Sequence, residues 1–161
     1  MAVLGHLFGV GTQLLLSNMP RILDGSAAAA AVAQDDSLAC AAPKIDPEEG
    51  VLAFNRSAQQ LHDTVRAFQG WPGTRATLFV EGGAPEGVAI KVLATRVGTA
   101  TTSPSGDVTR VHASKEALSI TCDDGSVLDV LQLQVPGGKP MSAGAYVAGL
   151  RGMQLRRAAT S

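Results

Sequence analysis

Arg66-Ala67-Phe68-Gln69-Gly70-Trp71-Pro72-Gly73-Thr74-Arg75-Ala76 marks the point where one periodicity gives way to another. Upstream, Leu61, Val65 and Phe68 recur at spacings of four and three, as on one face of a helix, and Ser57 stands where an N-cap belongs. Downstream, residues 74–81 and 88–97 alternate or run apolar with β-branched side chains, the habit of strands. Gly70 and Pro72 stop the helix between them. The stretch also carries the only tryptophan of the 161 residues, with Arg66 and Arg75 on either side.

Before the helix, Asp46-Pro47-Glu48-Glu49 is a helix-start signal: Asp46 can accept from free amides, Pro47 suits the first position, and the two glutamates favour the positive end of the dipole. Gly50 limits it to about one turn. Beyond residue 97, residues 98–107 form a polar loop and residues 108–113 a short strand. Residues 118–122 and 127–135 flank a hairpin signal, Asp123-Asp124-Gly125-Ser126. Pro136-Gly137-Gly138 ends the last long strand. Ser142 caps a final helix with Tyr146 and Leu150 four apart, Gly152 stops it, and Arg156-Arg157 opens a loose tail. A helix, five or six short strands and a helix predict a mainly β chain with some α, a small barrel closed at its ends by helices.

Residues 1–25 read as an isolated helix. Leu4, Leu7, Phe8, Leu14, Leu15, Met19, Ile22 and Leu23 fall near helical spacing, and Asp24-Gly25 is a stop. The competing reading is a secretory leader, because alanines follow. Against it, no Lys or Arg precedes Arg21, and Pro20, Arg21 and Asp24 interrupt the apolar run. Gln13, Ser17, Asn18 and Arg21 exclude a continuous span of about 20 apolar residues. Residues 26–43 read as a linker, so the compact domain covers 44–157 and residues 158–161 form a tail.

The net charge of −1 excludes a general polyanion binder. From Val65 to Ser161, ten Lys/Arg face seven Asp/Glu, an excess of three. Cys40 and Cys122 form no CxxC, and His6, His62 and His112 share no face with a second ligand, so no metal site is expected. No H-x-E, GxSxG, HExxH or P-loop occurs, and Gly9-Val10-Gly11 lies in a helical pattern where a dinucleotide fingerprint cannot work. Trp71 is expected to cover one end of the barrel as a core residue. The alternative is stacking on a base beside Arg66 and Arg75.

The ordered pieces Pro20-Arg21-Ile22-Leu23-Asp24-Gly25, Gln34-Asp35-Asp36-Ser37-Leu38-Ala39, Ala42-Pro43-Lys44-Ile45, Arg66-Ala67-Phe68, Trp71-Pro72-Gly73-Thr74, Lys91-Val92, Gly125, Leu131 and Met141-Ser142-Ala143 resemble the methionyl-tRNA formyltransferase family, from the last helix of its catalytic domain through its C-terminal domain. Gly70-Trp71-Pro72-Gly73-Thr74-Arg75 looks most like plant and algal organellar members. The resemblance implies an open, oligonucleotide-binding-like barrel that holds initiator Met-tRNA weakly and electrostatically. It also implies a mitochondrial or plastid location, and residues 1–25 as a remnant of the catalytic domain.

The family's transfer residues, an Asn, a His and an Asp with a Ser-Leu-Leu-Pro signature, belong to an N-terminal domain not included in these residues. No cofactor is therefore expected here: 10-formyltetrahydrofolate would bind that other domain, with which this chain could partner. The tRNA-binding candidates are Lys44, Arg66, Arg75, Lys139 and Arg151. Lys44 and Arg66 match family positions. Lys139 matches one of two lysines usual before Met-Ser, while Gly138 replaces the other. The rival readings are the same domain of a formyltetrahydrofolate hydrolase or sugar-nucleotide formyltransferase, and a stand-alone binding barrel.

Overall fold

The computed structural model describes residues 2–99 and 109–158. The expected polar loop at 98–107 therefore lies mostly outside the described residues. The chain divides into two compact units, Met1–Pro43 and Lys44–Ser161.

In the first unit, helix α1 covers Ala2–Leu23 with Pro20 inside it, and Gly25 turns the chain at φ 80°. Leu4, Leu7, Phe8, Leu14 and Leu15 are exposed. Leu4, Leu7, Phe8, Gly11, Thr12 and Leu15 line a shallow groove of about 380 Å³ along it. A one-turn helix α2, Ser26–Ala29, and a 3-10 turn, Asp36–Leu38, interrupt the segment expected to be plain linker. Alanine is the best helix former, which accounts for α2. Asp35 accepts from the Ser37 amide at 2.9 Å and starts the second turn. No helix among the described residues is long and apolar enough to cross a membrane.

The second unit is a closed antiparallel barrel. Its strands are β1 Thr74–Val80, β2 Val88–Val97, β3 Arg110–Ala113, β4 Leu118–Thr121, β5 Val127–Gln134 and β7 Leu155–Arg157. Around the wall the order is β2-β1-β7-β3-β4-β5, and β5 pairs back to β2, with register shifts on both sides of Ala94. The two-residue strand β6, Met141–Ser142, adds to the free side of β5.

Two expectations are corrected here. The barrel is closed, not open, and Arg156-Arg157 does not open a loose tail. Leu155–Arg157 pairs with β1 on one side and β3 on the other, filling the position that would otherwise leave two edges. Three residues carry too little alternation to announce a strand from sequence, and this one exists because two neighbours offer unpaired backbone.

Alternation fills the barrel. Ala76, Leu78, Ile90, Val92, Val111, Leu118, Ile120, Leu128, Val130, Leu133 and Leu155 are buried in one cluster. Each large aliphatic side chain in it is worth about 1.5–3 kcal/mol when fully buried. Helix α3, Ala58–Ala67, contributes Ala58, Leu61 and Val65 to the same cluster, together with Leu52 and Phe54 from the segment before it. Its start is the expected one: Ser57 and Gln60 form a reciprocal capping box at 3.3 and 3.1 Å. Helix α4, Ala143–Gly149, is capped by Ser142 and adds Ala143, followed by Leu150.

Candidate nucleic-acid interface

The link from α3 to β1 is a rigid corner. The Gly73 amide donates to the Phe68 carbonyl at 3.0 Å, and Gly70 and Gly73 adopt φ of 96° and 78°. A 3-10 turn at Pro47–Gly50, with Asp46 and Glu49 as its capping box, seats against this corner. A Cβ on Gly50 would stand 2.3 Å from the Gly73 carbonyl oxygen, so only glycine permits that approach. The Leu52 amide donates to the Arg75 carbonyl at 2.8 Å, and Thr74 Oγ1 donates to the Val92 carbonyl at 2.9 Å inside the barrel.

Trp71 stands on this corner with 64% of its surface exposed. The expectation that it covers the barrel end is thereby corrected. Leu52, Phe54, Leu61 and Val65 already occupy the core where α3 packs.

The five candidate cations divide by environment. Arg75 is engaged: its Nη1 donates to the Pro47 carbonyl at 2.9 Å and its Nη2 meets Glu48 at 2.6 Å. Arg66, in the last turn of α3, pairs with Asp63 at 3.2 Å, with both side chains more than half exposed. Such a surface pair is worth only about 0–1 kcal/mol and opens readily for another anion. Lys44 is exposed just before the 3-10 turn that Arg75 holds, and Lys139 is exposed on the β5–β6 turn. Arg151, exposed at φ 51°, follows α4 and leads into β7, where Leu155 pairs with Val80. Val80 is five residues along β1 from Arg75, roughly 17 Å at the usual strand rise. The fold thus does not bring Arg151 to the strand end that carries Arg75.

Lys91, not among the five candidates, stands opposite Arg75 across β1 and β2. On the other side Lys91 faces Gln134 of β5, and Gln134 Nε2 donates to the Gly138 carbonyl at 2.8 Å, next to Lys139. Arg75, Lys91, Gln134 and the Lys139 turn therefore form one band across three strands. Like charges directly opposite would repel, but Glu48 neutralises Arg75. Lys91 forms no ion pair among the described residues. Its signal in sequence was a lone cation between buried Ile90 and Val92, which sets its face but not its neighbours.

Two other cations are structural. Arg96 meets Asp129 at 2.8 Å, and Ser119 Oγ holds the other Asp129 oxygen at 2.6 Å. Arg157 is buried and donates to the Thr121 carbonyl, the Ala158 carbonyl and Asp123. His62 Nδ1 lies 2.9 Å from Thr95 Oγ1, a satisfied, half-buried contact, while His6 and His112 are exposed on α1 and β3. Among the described residues, no group of three or more His, Cys, Asp or Glu could hold a metal ion. What the band can do is attract and position an anionic backbone.

A family model described as formyl transferase, C-terminal domain, matches residues 44–151. The methionyl-tRNA formyltransferase of Pseudomonas entomophila (strain L48) is 34% identical over 137 residues, 85% of this chain and 40% of that protein. That of Pelobacter propionicus is 31% identical over 144 residues, 89% of this chain and 41% of that protein. That of Geobacter metallireducens is 35% identical over 118 residues, 73% and 34% respectively. The chain spans about two-fifths of the length of these curated relatives.

Proposed function

This chain belongs to the formyl transferase C-terminal domain family, and we propose that it is the tRNA-holding domain of a methionyl-tRNA formyltransferase. In this reading the barrel binds initiator Met-tRNA and orients its aminoacyl end toward a catalytic domain that carries 10-formyltetrahydrofolate. The transfer chemistry belongs to that domain, and this chain's residues bind and position. Residues 1–25 are read as the last helix of the catalytic domain, with the apolar side chains of α1 seated against it. The mitochondrial or plastid location rests on the Gly70–Arg75 form alone and is checked by imaging a tagged full-length product.

The observation that carries the proposal is the Arg75–Lys91–Lys139 band on a family-matched barrel. A few cations on a smooth wall suit phosphates, which fix the register of an RNA without reading its sequence. Lys44, Arg66 and Arg151 lie outside the band and support separate contacts.

The test is binding of initiator Met-tRNA at several salt concentrations. Affinity should fall linearly on a log–log plot, by roughly 0.7–0.9 in slope per phosphate contact. The isolated chain should transfer no formyl group. Salt-independent affinity, or formyl transfer by this chain without a companion, would end the proposal.

A further inference from the structure

We propose that the indole of Trp71 is a stacking platform for an unpaired base of the RNA that this domain holds. The inference rests on the tRNA-binding reading and goes beyond it, because phosphate contacts alone never touch a base.

Three observations carry it. First, the ring is 64% exposed although a tryptophan can bury about 150–250 Å² in a core. Second, the backbone around it is anchored on both sides. Gly73 is tied to Phe68 and packed against Gly50, Thr74 is bonded into the barrel, and Arg75 holds Leu52. A ring presented from such a corner loses little freedom when a ligand stacks on it, so little of the contact energy goes into ordering.

Third, the two arginines on either side of the ring already have acidic partners. Arg66 is paired with Asp63 and Arg75 with Glu48, while Asp46 and Glu49 cap the adjoining turn. A bare π-face on a corner where Asp46, Glu48, Glu49 and Asp63 outnumber Arg66 and Arg75 suits a base more than a phosphate. The phosphates have Lys91 and Lys139 along the neighbouring wall. A protein partner would call for a broader apolar core, about 800 Å² a side in a standard interface. Here the aromatic surface is a single ring.

Trp71 is the only tryptophan, so the chain's tryptophan fluorescence reports on that ring alone. The full chain is titrated with initiator tRNA, with a short single-stranded RNA and with a blunt RNA duplex. Quenching is expected with the first two and not with the duplex. Trp71→Ala should weaken tRNA binding about 5- to 150-fold by anisotropy of labelled RNA, with an unchanged salt slope. Trp71→Phe should keep most of the affinity.

Silent fluorescence at saturating tRNA would overturn stacking while leaving the tRNA reading intact. Undiminished affinity in Trp71→Ala would do the same. A loss with a flatter salt slope would also overturn it, because the ring would then act by placing cations. So would a change of oligomeric state in Trp71→Ala, which would mark a protein contact. If the parent chain bound no RNA, the tRNA reading would fall and this inference with it.

Discussion

Arg157 and Asp123, 34 residues apart, form an ion pair in which the guanidinium is 1% exposed and the carboxylate 41%. The same guanidinium donates to the Thr121 carbonyl at 2.9 Å and lies 5.6 Å from the centre of the Phe54 ring. The Asp123 amide in turn donates to the Phe54 carbonyl at 2.9 Å. The last strand, the β4–β5 turn and the segment before α3 are thus joined at one buried cation. Arg157→Ala would leave Asp123 and the Thr121 carbonyl without that partner. We expect a loss of about 3 kcal/mol, the low end for breaking a buried pair because Asp123 still reaches water. Urea unfolding checks this, and a midpoint equal to the parent's would show that the clamp contributes nothing.

Lys91→Ala separates binding from stability. The side chain is exposed and opposite Arg75, so the melting temperature should barely move. The tRNA salt slope should flatten by about 0.7–0.9, one phosphate contact. Arg75→Ala should cost stability as well. It removes the bonds to Pro47 and Glu48, at a cost of about 1 kcal/mol in stability. Equal salt slopes for Lys91→Ala and parent would remove Lys91 from the interface.

Glycine replacements should split by packing. Gly50→Ala drives a methyl to 2.3 Å from the Gly73 carbonyl oxygen, and should cost about 1–3 kcal/mol by overpacking. Gly9→Ala in α1 meets nothing within 4 Å, and should raise helix stability by about 1 kcal/mol. Thermal melts followed by circular dichroism compare the two, and a neutral Gly50→Ala would mean that the α3–β1 corner yields.

The two thiols should differ in reactivity. Cys40 is exposed and Cys122 is buried. Burial pushes the Cys122 thiol above its ordinary value, reinforced by Asp124 and Asp123 and opposed by Ser126 and Arg157. A native-state thiol titration should therefore find one rapid group, and a denatured-state titration two. The sign for stability follows from the raised value. Protonated Cys122 favours the fold fully below the ordinary thiol pKa, and that contribution is lost as pH rises through the raised folded value. Stability in Cys122→Ala should show less of this alkaline decline. Two rapid native thiols would contradict the buried placement.

Much of the barrel was legible because its signals are local. The caps Ser57 and Ser142, the Asp123–Ser126 turn and the alternation in β2 each act over a few residues, and the structure realises them. The family resemblance was legible for the same reason, through short pieces in fixed order. The cationic band was half legible. Arg75 and Lys139 could be named as surface cations, but Lys91 gains meaning only from standing between Arg75 and Gln134.

Residue order alone dictated where the chain turns, which face of each element is apolar and where most of the longer elements form, since those depend on backbone torsions and nearest neighbours. Closing the barrel settled the rest. It made a strand of Leu155–Arg157, turned Arg157 from a surface charge into a buried clamp and left Trp71 in solvent. Such outcomes depend on contacts between residues far apart in the chain, where a backbone vacancy or a filled core end decides what a short segment becomes.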